Sequence, residues 1–196
     1  MSDAGPVRDP VARAEALVSI FHADSARFGR LRAVDAENVP PVPRRLLDHD
    51  SHMTVAMETF HGGPVGLRVL AERTVGGGPA AGAAYAREIV LVSPPGRIVQ
   101  HGIVRIDLGA VAAGTAAAIR AGREPLGRIL IAAGLLREVG HVRLLEIEPG
   151  PHLRGLLTRR EEGCAPLHGR VADIRLDGRP AIELLEIVTA TEPAAA

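Results

Sequence analysis

Apolar positions recur along the chain with two different periods. From Val11 to Phe28, the residues Ala14, Leu17, Val18 and Phe21 fall at helical spacing, which predicts an amphipathic helix. The prolines of Val39-Pro40-Pro41-Val42-Pro43 are expected to end regular structure. Leu46 to Phe60 then reads as a second helix, opened by Asp50 or Ser51 as N-cap ahead of Met53, Ala56, Met57 and Phe60. After the turn Gly62-Gly63-Pro64 the period changes, and Val65, Leu67 and Val69 alternate with small or charged residues as in a half-buried strand. Gly76-Gly77-Gly78-Pro79 breaks the chain again, and the glycines of 76–82 permit a moving lid. Tyr85–Val92 and Ile98–Ile106 flank Ser93-Pro94-Pro95-Gly96-Arg97, a loop between two strands of an antiparallel hairpin. Ala110–Ala121 is an alanine-rich helix stopped by Gly122, and Leu126–Leu136 starts another after Pro125. Val142–Ile147, Gly169–Leu176 and Ala181–Val188 are three further strands, the last two joined by a tight turn at Asp177-Gly178.

Strands joined by hairpins, with helices grouped rather than alternating, predict an α+β fold with helices packed on an antiparallel sheet. A chain of 196 residues fits one domain and removes about 70% of its unfolded surface from water. The domain is expected over 11–189, with fraying ends at 1–10 and 190–196, where Ala, Pro, Asp and Glu show no periodicity. No run approaches the length of a bilayer span, and the N-terminus lacks the apolar core of a signal peptide, so a cytoplasmic location is expected. The 23 basic and 23 acidic residues balance, leaving no overall electrostatic case for a nucleic-acid or membrane partner. Every one of those basic residues is arginine. Without lysine, Schiff-base chemistry, pyridoxal phosphate in its usual attachment and a Walker-type loop are excluded. Cys164 lacks an internal disulfide partner and, in a polar stretch, reads as a loop thiol.

Two charges stand on apolar runs. Arg87 interrupts Tyr85-Ala86-Arg87-Glu88-Ile89-Val90-Leu91-Val92, and Glu186 stands in Glu183-Leu184-Leu185-Glu186-Ile187 after Gly178-Arg179-Pro180. Folding would carry both towards an interior, as a site needs if it is to grip a carboxylate and supply a proton. These two segments, with Ser51-His52-Met53-Thr54 and Pro125-Leu126-Gly127-Arg128 in the same fixed order, resemble the chorismate pyruvate-lyase family over roughly Leu46 to Val188. The resemblance implies a chorismate lyase-like α+β domain and cofactor-free cleavage of chorismate to 4-hydroxybenzoate and pyruvate. It also implies backbone contacts to substrate from Met53 and Leu126, a carboxylate grip by Arg87, and Glu186 as general acid, its proton retained through desolvation and a neighbouring anion. Glu183 is the alternative register, because a one-residue slip exchanges the faces of a strand. Arg128 and Arg105 are candidates for a second carboxylate. His49, His52 and His61 flank the Met-Thr segment, and His49-x-x-His52 has nearly metal-ligand spacing but no third ligand, so no metal is assigned.

The leading expectation is therefore a carbon-oxygen lyase with a small carboxylate as partner and no cofactor. A similar fold serves as the effector-sensing domain of bacterial transcription regulators, which makes a ligand-binding module the alternative. The residues ahead of the matched region hold one amphipathic helix and a proline-rich stretch, so that reading calls for a DNA-binding domain on a separate partner chain. An enzyme of the same fold that acts on another carboxylated metabolite is a third reading.

Overall fold

Asp9 begins the first helix by accepting a hydrogen bond from the Val11 N–H at 3.2 Å, and α1 runs over Pro10–Val18 with Ala14, Leu17 and Val18 buried. The single helix expected from Val11 to Phe28 is broken in two. Asp24 accepts from the Ala26 N–H at 3.0 Å and starts a separate turn of helix, α2, over Ser25–Phe28, because a capping carboxylate competes with helix continuation. The computed structural model describes residues 9–76, 83–94, 96–135, 137–157 and 165–189. The expected lid at 76–82, beyond Gly76 itself, and Cys164 lie outside them, as do the chain ends at 1–8 and 190–196.

Prolines start a helix where they were expected to prevent one. β1 (Gly29–Ala33) is followed by α3 (Pro41–Leu47), whose first position takes Pro41 without loss, since that N–H has no partner inside a helix. The second expected helix is consequently divided into α3 and α4 (Met53–His61), and α4 is preceded by His52 rather than by a capping Asp50 or Ser51. The remaining strands and α-helices among the described residues are β2 (Gly66–Val75), β3 (Ala84–Ser93), β4 (Arg97–Ile106), α5 (Ala113–Ala121), α6 (Leu126–Ala132), β5 (Arg137–Pro149), α7 (Pro151–Leu157), β6 (Leu167–Leu176) and β7 (Arg179–Val188). Gly122 ends α5 at φ 61°, and Asp177 and Gly178 turn β6 into β7 with φ 48° and 76°, the left-handed pair that a two-residue hairpin requires.

The seven strands form one antiparallel sheet in the order β1-β5-β6-β7-β4-β3-β2, so the fold is α+β as expected. Helices cover both faces. Residues of α1, α2 and α7, among them Leu17, Phe28 and Leu153, pack on Ile103, Leu145, Val171 and Leu185. On the opposite face α3 and α4 bring Leu46, Leu47 and Met57 against Ile89 and Leu91, while α5 and α6 bring Ile119 and Leu130 against Val104 and Leu184. Covered on both sides, β3 is buried along nearly its whole length, which is why its sequence reads as a continuous apolar run instead of an alternation. Arg87 and Glu88, neighbours on β3, point to opposite faces and are buried at 1% and 3% exposure. No helix among the described residues is long and apolar enough to cross a membrane.

Candidate functional site

The cavity on the Arg87 face has the sheet as its floor. Pairing sets Ile89 beside Gly102, Gly102 beside Glu186 and Glu186 beside Arg170, a row across β3, β4, β7 and β6. Gly102 leaves that floor open, since a Cβ there would lie 3.3 Å from Ile89 Cδ1. The starts of α4 and α6 form the roof, with His52, Met53 and Thr54 on one side and Pro125, Leu126 and Gly127 on the other. The cavity volume is about 60 Å³, room for a few waters or a compact ligand.

Its polar groups are few and unequally satisfied. Arg170, 1% exposed, donates from Nε to Glu186 Oε2 at 2.8 Å and from Nη1 to the carbonyls of His49 at 2.7 Å and Leu47 at 3.2 Å. Glu186 accepts at its other oxygen from Gln100 Nε2 at 3.4 Å. Arg87 is different. Its guanidinium is equally buried, yet its partners are neutral: Nη1 donates to the Ile119 carbonyl at 3.0 Å, the Tyr85 side chain is a further hydrogen-bond partner, and Nε has no partner among the described residues. No carboxylate among those residues forms an ion pair with it. Burial pushes Arg87 below its ordinary value, with Tyr85 and Glu72 working the other way, so the site contains a cation whose charge is poorly compensated. His52 adds an imidazole whose buried Nε2 is unpaired; burial, then the charges of Arg137 and Arg170, push it down to about 4.

Met53, Arg87, Leu126 and Glu186, singled out from the sequence, all line this one cavity. Glu183 does not: it lies on the other face of β7 and pairs with Arg105, whose Nε is 2.6 Å from Glu183 Oε2. Arg128 is engaged by Glu58 outside the cavity. Neither Arg105 nor Arg128 is a second anion grip, and the second cavity arginine is Arg170, which the sequence reading did not select. His49 and His52 precede α4 rather than sharing a helix face; His49 lies against Arg170 and Ser51. His61, at the far end of α4, stacks edge-on against Phe60 with ring centroids 5.0 Å apart.

No protein-family model matches the chain, and no curated protein matches it significantly. Solved structures do share its fold. PhnF from Mycobacterium smegmatis superposes with a TM-score of 0.53 at 13% identity, over 74% of this chain and 66% of that one, so the chain spans just under two thirds of PhnF. The ligand-binding domain of a protein described as a GntR-family transcriptional regulator, from Bordetella bronchiseptica, superposes with a TM-score of 0.51 at 15% identity, over 87% of this chain and 97% of that one. The fold these neighbours share is the chorismate lyase-like one expected from the sequence. They also correct the enzymatic expectation: one of these two neighbours is the ligand-binding domain of a transcriptional regulator, where a lyase was expected. The carbon-oxygen lyase reading, with its chorismate, hydroxybenzoate and pyruvate chemistry and its place in aromatic biosynthesis, is withdrawn.

Proposed function

We propose that this chain is an effector-binding module that takes a compact anionic ligand, most simply a small carboxylate, into the cavity between the sheet and the starts of α4 and α6. The observation that carries this reading is Arg87, a fully buried guanidinium on the cavity wall with an unpaired Nε and no carboxylate partner among the described residues. A buried cation of that kind destabilises the empty protein until an anion arrives. The charge-assisted pair then contributes about 1.5–3 kcal/mol. Arg170 and Glu186 neutralise each other, so the cavity keeps a single excess positive charge from Arg87. The first turn of α4 has no side-chain cap, which leaves the backbone at Met53 able to donate to an anion, and Leu126 faces it across the cavity. Met53, Leu126, Arg87 and Glu186 are thus binding residues in this reading. The ligand-binding domain among the structural neighbours supports the same class of function.

The test is thermal unfolding and calorimetric titration with benzoate, succinate and inorganic phosphate, on wild type and Arg87→Met. A carboxylate that raises the unfolding temperature of wild type and leaves Arg87→Met unmoved supports the reading. Unfolding temperatures unaffected by all three anions in both proteins would overturn it, provided that mass spectrometry of the denatured wild type finds no co-purified ligand.

A further inference from the structure

On the face of the sheet away from the cavity, three imidazoles converge on one carboxylate oxygen. Glu88 Oε1 lies 2.9 Å from His22 Nε2, 2.7 Å from His101 Nε2 and 2.9 Å from His152 Nε2. The four residues come from separate parts of the chain: the turn after α1, β3, β4 and α7. Glu88 and His101 are buried, whereas the side chains of His22 and His152 are 15% and 29% exposed, so the cluster opens to solvent on one side. Phe28 closes the other side, its ring 5.3 Å from that of His22, 5.6 Å from His101 and 6.2 Å from His152.

One carboxylate oxygen has two lone pairs and does not accept three N–H groups in good geometry. If two of the nitrogens instead present lone pairs, they and the carboxylate repel one another unless a cation sits between them. We propose that His22 Nε2, His152 Nε2 and Glu88 Oε1 form a site for a divalent first-row transition ion, best suited to Zn2+, with His101 as the donor that orients Glu88. The three ligating atoms all lie within 4.8 Å of one another. Two imidazoles and one carboxylate are a borderline donor set that suits zinc and its neighbours, and it does not suit calcium or magnesium, which require mostly oxygen.

In a tetrahedral site with zinc-nitrogen bonds of about 2.0–2.1 Å, ligand atoms stand about 3.3 Å apart. Contacts of 2.9 Å therefore open by about 0.4 Å, a small rotation for two partly exposed rings. The fourth position faces solvent and takes a water. His101 keeps its N–H bond to Glu88, the outer-shell arrangement that fixes a ligating carboxylate. The ion clips the turn after α1 and the helix α7 to β3 and acts as a structural tie.

The experiment uses the tag-free full chain, stripped with EDTA and titrated with Zn2+ by calorimetry and thermal unfolding. One Zn2+ per chain is expected, with a raised unfolding temperature, and substitution with Co2+ should give visible d–d bands of a four-coordinate nitrogen and oxygen site. His152→Ala, at a partly exposed position outside the sheet, should keep the fold and weaken binding more than about 100-fold, beyond what loss of an outer-shell partner does. His22→Ala should do the same. Stripped wild type that takes up no Zn2+, or a folded His22→Ala, His152→Ala double variant that binds it as tightly as wild type, would overturn the proposal and leave a hydrogen-bonded cluster.

Discussion

Arg170 and Glu186 stand directly opposite each other on β6 and β7, and their side chains meet at 2.8 Å in the floor of the cavity. That pairing depends on a β-bulge. From the turn, Leu176 faces Arg179 and Arg175 faces Pro180, but Ile174 faces Ile182, so Ala181 is an extra residue on β7. Without it Arg170 would face Leu185, and Glu186 would turn towards the other layer of helices.

The pair is buried, and its two halves are not equivalent to remove. Glu186→Ala deprives Arg170 of its only carboxylate partner among the described residues while leaving the guanidinium between β6 and the carbonyls of Leu47 and His49. We expect a loss of about 3–5 kcal/mol in urea unfolding. The double variant Arg170→Met, Glu186→Leu removes both charges and should lie within about 1–2 kcal/mol of wild type, since a desolvated pair is a weak net stabiliser. A double variant as unstable as the single one would show that the two side chains do not act as a pair.

Arg87→Met is expected to act in the opposite direction. Arg87 has a bare Nε and no carboxylate in an ion pair with it among the described residues, so replacing it with an apolar chain of similar length removes a poorly compensated charge. The ligand-free variant should be more stable than wild type by about 1 kcal/mol, the usual exchange between stability and a binding group. Equilibrium urea unfolding of both proteins, dialysed free of anions other than chloride, measures it.

The fold was legible where local chemistry was strong. Gly122, Asp177-Gly178 and the turn between the paired Ser93 and Arg97 each punctuate the chain where the sequence places a break. β1 was missed because Arg30-Leu31-Arg32 shows one apolar residue between two charges; its strand form comes from pairing with β5, where Arg32 meets Glu146 at 2.7 Å. The Arg87 and Glu186 positions stood out as charges on apolar runs. Arg170 did not, because its partner is set by a bulge that no turn signal announces. Glu88 was read only as part of a motif: a carboxylate next to an arginine gives no sign that three histidines, 66, 13 and 64 residues away, fold onto it.

Gly127 is fixed by the approach of two helices. A Cβ at this position would lie 2.9 Å from Thr54 Oγ1 and 3.3 Å from His52 Nδ1, so Gly127→Ala must displace the Thr54 side chain or push the start of α6 away from the start of α4. The expected cost is about 1–3 kcal/mol. Because these two segments roof the cavity, the same substitution should weaken any ligand that stabilises wild type, read as a smaller ligand-induced rise in unfolding temperature. Gly134→Ala, in open space but at φ 64°, serves as a control that strains backbone without moving the roof.

Tyr85 is the sole tyrosine of a chain without tryptophan, so its ionisation can be followed directly by ultraviolet absorbance. Burial, then the hydrogen bond it donates to Glu72 Oε1 at 2.6 Å, pushes the phenol up to about 12, with Arg87 opposing. The phenolate band should therefore appear near pH 12 rather than near 10, and Glu72→Gln should bring it down. Arg87→Met should move it up. A wild-type midpoint at the ordinary value, in protein still folded by circular dichroism, would refute the buried Tyr85–Glu72 contact.

Stability should fall on mild acidification, and His52 fixes the window. Folded, its imidazole titrates at about 4 against an ordinary 6.5, through burial first and the nearby Arg137 and Arg170 second. Between those two values the unfolded chain holds a proton that the folded chain does not, so unfolding takes up protons and stability rises with pH. The contribution is complete above about pH 6.5, declines as pH falls towards 4 and is then exhausted, on the order of 2–3 kcal/mol in all. His49, His61 and His168 are lowered in the same direction, each chiefly by burial, and steepen the same decline. Urea unfolding at pH 7.5, 6 and 5 measures the slope, and His52→Gln should flatten it, because a glutamine at this site carries no proton to gain. A stability that is level across that range, or a slope that His52→Gln leaves unchanged, would mean that His52 meets water in the folded protein and that the roof of the cavity is more open than its packing against Gly127 implies.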